Sequence, residues 1–62
     1  MDESQLEEIA RELAEYLIES GRVKRNSAWF IADLATELMM EAEDRGYDNA
    51  TEIADMAVQL YS

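Results

Sequence analysis

Cysteine, histidine and proline are all missing from this chain of 62 residues. Without cysteine there are no disulfides and no thiolate chemistry. Without cysteine or histidine, ordinary zinc sites and His-based acid/base or nucleophilic mechanisms also go. The small core must rest on helix packing alone, or be supplemented by self-association or a partner, because the length is near the lower limit for independent folding. Basic residues are scarce as well: five Lys and Arg stand against fifteen Asp and Glu, for a net charge of −10. A field of that size repels a polyanion, so direct nucleic-acid binding is not expected and anionic membranes are disfavoured. No apolar run is long enough to span a bilayer, and no basic start followed by a hydrophobic segment suggests a signal peptide. A cytoplasmic location is expected.

Strand-like alternation is also lacking, and what remains is helical periodicity. The longest periodic stretch, Ser27 to Arg45, carries the single Trp, the single Phe and a pair of Met residues. At about 100° per residue, Ala28, Ile31, Leu34, Ala35, Leu38, Met39 and Ala42 share one arc, which is a core face. Asp33, Glu37, Glu41 and Asp44 fall on the other side. Before this segment, Ser4 followed by Glu7 reads as a capping box that starts a first helix. Leu6, Ile9, Ala10, Leu13, Tyr16 and Leu17 give that helix one apolar face, Glu8, Glu12, Glu15 and Glu19 line the opposite face, and Gly21 ends it. Asn26 or Ser27 caps the central helix and Gly46 closes it. Asn49 with Glu52 repeats the capping signature, and a third helix turns Ile53, Met56, Ala57 and Leu60 inward.

The expected fold is therefore all-α: one small acidic domain over 1–62, built as a compact three-helix bundle with helices at about 4–20, 27–45 and 49–61. Short connections imply antiparallel neighbours, with the central helix touching both others. Ala10, Ala14, Ala32, Ala35, Ala54 and Ala57 should allow close approach. An open helical hairpin that completes its core by homodimerisation is the structural alternative. The match of IADLATEL from Ile31 with IADMAVQL from Ile53 is what similar helices solving one packing problem produce, as much as a duplication does.

Several motifs weaken on inspection. Glu41 to Glu52 has the Gly and the final Glu of a calcium-binding EF-hand loop, but Arg45 occupies a ligand-bearing place and Glu stands at the first and third. No metal or other cofactor is expected. Asn49-Ala50-Thr51 is formally a glycosylation site, yet Asn49 already has a capping role. The connection Arg22-Val23-Lys24-Arg25 is the chain's basic spot, read as complementing the carbonyl end of the first helix and pairing with nearby carboxylates. The carboxylate pairs Glu12 with Glu15 and Glu41 with Asp44 lack the apolar setting that acid/base catalysis needs, so a non-enzymatic protein is expected.

What is left is surface recognition. Trp29, Asp33, Thr36 and Met40 form one ridge away from the main core arc, rimmed by Glu37, Glu43 and Asp44. Trp and Met at such a place have the composition of an interface, an aromatic anchor with a charged surround. The competing reading is that the third helix or Tyr47 covers the row. The acid excess favours a cationic partner, namely the basic surface of a nucleic-acid-binding protein, met by the ridge and by the row Glu8, Glu12, Glu15 and Glu19. Carboxylates would then stand in for phosphates, which suits an inhibitor encoded by a phage or mobile element, for example an anti-CRISPR acting in the host cytosol. Solubility or a salt-rich habitat would explain the same charge more plainly. The ridge could instead join two copies in a self-associating structural or regulatory module, or the protein could be an antitoxin-like adaptor for one specific partner.

Overall fold

The computed structural model describes residues 2–24 and 31–61. The expected caps Asn26 and Ser27, the core residue Ala28 and the ridge residue Trp29 lie outside the described residues. Three helices are present: α1 (Glu3–Glu19), α2 (Ile31–Arg45) and α3 (Ala50–Leu60). Every pair of helices is in contact, α1 with α2 most extensively, so the chain adopts the three-helix bundle and not the open hairpin. The first turn of α1 lies beside the end of α2, around Leu6, Glu43 and Tyr47, while Ile18 and Glu19 lie beside Ile31. These two helices therefore run antiparallel.

The caps explain where the helices begin. Asp2, not Ser4, is the N-cap of α1: its carboxylate accepts from the Gln5 amide at 2.9 Å, and the Gln5 side chain accepts in return from the Asp2 amide. Asp caps as well as Ser does, and moving the box two residues earlier adds half a turn to the helix. Asp2→Ala should therefore destabilise the fold by about 1 kcal/mol while Ser4→Ala is close to neutral, as read from thermal unfolding. At α3, Asn49 accepts from the Glu52 amide at 2.9 Å, as the sequence implies.

Gly46 ends α2 with φ at +71°. Its amide donates to the Glu43 carbonyl and the Tyr47 amide reaches back to Ala42, the paired bonds of a Schellman motif. Helix α2 thus continues through Arg45, across the first five residues of the would-be calcium loop. Among the described residues no group of acidic side chains is placed to hold a metal ion.

The core is formed by Ala10, Ala14, Leu17, Val23, Leu34, Ala35, Leu38, Ala42, Ile53, Met56 and Ala57, with no buried polar side chain among the described residues. Leu17, Leu34, Leu38 and Ile53 are fully buried, each contributing about 1.5–3 kcal/mol relative to exposure. Alanines Ala10, Ala14, Ala35 and Ala57 let the helices approach closely, but Ala32 is exposed and Ala54 only half-buried.

Two expected core residues are not inside. Tyr16 is 48% exposed, and its ring carries the Arg22 guanidinium at 5.7 Å. It sits about 100° around the helix from Leu17, beyond the arc that packs. Val23 closes that end of the core instead, with its amide bound to the Leu17 carbonyl at 3.1 Å. Leu60 shares the arc of Ile53 and Met56 but is the last residue of α3, and it remains 43% exposed.

Candidate functional site

Helix α1 builds the more regular of the two acidic rows. Because Ala10, Ala14 and Leu17 anchor its inner face, Glu8, Glu12, Glu15 and Glu19 project opposite, and all four are exposed. At the helical rise they span about 16 Å. Among the described residues the ion pair of α1 is elsewhere, between Glu7 and Arg11 at 3.4 Å. Among the described residues none of the four row carboxylates has an ion-pair partner. Of the loop cations, Arg22 lies over the Tyr16 ring at 5.7 Å from its centroid, and Arg25 lies outside the described residues.

This row costs the helix stability. Glu8 with Glu12 and Glu15 with Glu19 are like charges four residues apart, each pair unfavourable by about 0.2–0.5 kcal/mol. Glu19 also sits at the negative end of the helix dipole, where a carboxylate is the wrong sign.

The α2 row is of a different kind. Asp33 and Asp44 are exposed, but Glu41 is half-buried and ion-paired with Arg45 at 3.4 Å. Glu37 and Glu41 both face Tyr61 at the end of α3. Partial burial raises the Tyr61 pKa above 10.0, and the fields of Glu37 and Glu41 and a hydrogen bond to Glu37 raise it further. Since the shift favours the neutral phenol in the folded state, its stabilising contribution is complete below pH 10.0 and is lost as pH rises through the folded value. An alkaline absorbance titration should show Tyr61 ionising above the ordinary tyrosine value, and Glu37→Gln should lower it in part, since burial is the larger cause and remains.

On the outer side of α2, Met40 is 62% exposed. It lies about 160° around the helix from Leu38, so neither α3 nor Tyr47 covers it. Thr36, also exposed, spends its hydroxyl on the Ala32 carbonyl at 2.9 Å. The buried faces of α1 and α2 meet in one core, so the α1 row and the Met40 ridge turn outward on different sides of the bundle. A flat partner cannot touch both. A concave one can enclose them, the Cα envelope measuring 30 × 20 × 17 Å.

Comparison of the chain with protein-family models, with curated proteins and with solved structures finds no match.

Proposed function

We propose that this protein acts by docking on the basic, nucleic-acid-binding surface of another protein, as a non-enzymatic inhibitor whose carboxylates stand in for phosphates. One observation carries this reading: the row Glu8, Glu12, Glu15 and Glu19 is exposed, unpaired among the described residues and unfavourable to its own helix. Solubility alone asks only for net charge and not for four carboxylates aligned on one face. An acidic row spread over about 16 Å meets a cationic groove at several points, and long-range attraction speeds the encounter. Such a blocker of a host nucleic-acid machine fits a phage or mobile-element product of the anti-CRISPR kind, working in the host cytosol.

The test is capture of partners from host lysate at low and high salt with nuclease present, using the native chain and a variant with Glu8, Glu12, Glu15 and Glu19 all changed to Lys. A nucleic-acid-binding protein held by the native chain, released by salt or by competing DNA or RNA and missed by the variant, is the expected result. Recovery of the same partner by both chains overturns it. The exposed Met40 favours a second reading, a symmetric dimer through the α2 ridge, which would appear as a doubled mass that Met40→Ala lowers.

A further inference from the structure

Helix α3 passes from α1 to α2 over the hairpin that those two helices form. Its start, at Asn49 and Ala50, lies beside Gln5, Glu8 and Ile9 of α1, and its end, at Tyr61, reaches Glu37 of α2. It shares less contact with either helix than they share with each other. Ile53, Met56 and Ala57 are its buried residues, whereas Ala54 and Val58 are half-buried and Leu60 stays largely in solvent. A side-chain hydrogen bond from the Tyr61 hydroxyl to Glu37 fastens the far end. The near end turns on an exposed stretch: Tyr47 stays with α2, its amide held by the Ala42 carbonyl, and Asp48 and Asn49 after it are exposed. Charge works against closure, because residues 50–61 include Glu52 and Asp55 and no Lys or Arg, in a chain of net charge −10.

We infer that α3 is a hinged strap: it opens as one unit about Asp48 while α1 and α2 stay paired, and the bond between Tyr61 and Glu37 is its clasp. Elements with the sparsest packing open at a lower free energy than the whole fold, and α3 is that element here. Opening and melting of α3 are a single step, because a helix of 11 residues does not persist alone in water. The open state displays Ile53, Met56 and Ala57 together with the face of α1 and α2 that they covered, an apolar surface that the closed bundle hides. This motion does not depend on what the protein docks on.

Amide hydrogen exchange of the native chain, followed residue by residue by NMR, is the test. The amides of Met56, Ala57 and Val58 should share one protection, about tenfold or more below that of Ala14 and Leu17 in α1 and of Leu38 and Ala42 in α2. Val23→Ala trims the core where the chain leaves α1, with the Val23 amide on the Leu17 carbonyl. It should speed exchange in α1 and α2 about tenfold and leave α3 unchanged, because the packing it weakens stays made while the strap is open. Tyr61→Phe should speed all three helices about fivefold, since the bond it removes is absent in the open and in the unfolded state alike. Equal protection of the three helices, or an α3 that Val23→Ala speeds as much as the others, overturns the strap. So does a protection that falls smoothly toward Tyr61, the mark of a fraying end. Exchange that Tyr61→Phe leaves unmoved overturns the clasp.

Discussion

Leu38→Ala should leave this protein largely unfolded at 25 °C. Leu38 is fully buried in a core that contains no polar side chain among the described residues. Removing a leucine side chain from such a place costs about 2–5 kcal/mol, because transfer free energy is lost and the cavity closes only in part. A domain of 62 residues has about 3–9 kcal/mol of stability in all at the usual 0.05–0.15 kcal/mol per residue. Self-repulsion at a net charge of −10 places this one toward the lower part of that range. Circular dichroism at low salt would read the loss directly. A cooperative melt within a few degrees of the native chain's would mean that the core is not assembled around Leu38.

Changing Glu8, Glu12, Glu15 and Glu19 together to Lys should slow association with the proposed basic partner by about 10²-fold, within the 10–10³ range that electrostatic steering supplies. The fold should survive. All four residues are exposed, Lys and Glu have nearly equal helix propensity, and Lys at position 19 is the favourable sign for the end of α1. Raising salt should weaken the native complex in the same direction, since the Debye length falls from about 10 Å at 0.1 M to about 3 Å at 1 M, well inside the row's span. The variant's affinity should be nearly insensitive to salt or reversed in trend. Surface plasmon resonance separates the rates: a loss confined to dissociation would place the binding energy outside this row. Reversing Glu37 and Glu41 is a poorer probe, because Glu37 hydrogen-bonds Tyr61 and Glu41 pairs with Arg45 within the fold.

The two acidic rows looked alike in the sequence, both being carboxylates at helical spacing opposite an apolar arc. Their difference arises from the return of α3, whose last turn brings Tyr61 to Glu37 and Glu41, and from Arg45 one turn beyond Glu41. The second of these was legible, as Glu and Arg four residues apart. The first depends on how far α3 runs along α2. Val23 also carried a signal that composition hid: it is an apolar residue two places after the C′ glycine Gly21, where chains often fold back onto the helix they have left. The basic residues around it drew attention to charge instead.

By itself, the sequence determined three helices, their order, the caps at Asn49 and Gly46, and most of the buried arc. Periodicity and capping are local properties: a cap is read within one helical turn and periodicity within about three to five turns. Only the tertiary structure decided that Tyr16 and Leu60 stay partly in solvent, that Met40 is uncovered, that the α1 row and the α2 ridge face different sides, and that α3 begins beside Gln5 and Ile9. Those outcomes depend on which helix faces meet and where each helix ends against its neighbours. Residues about forty positions apart are brought together there by packing, which no local pattern encodes.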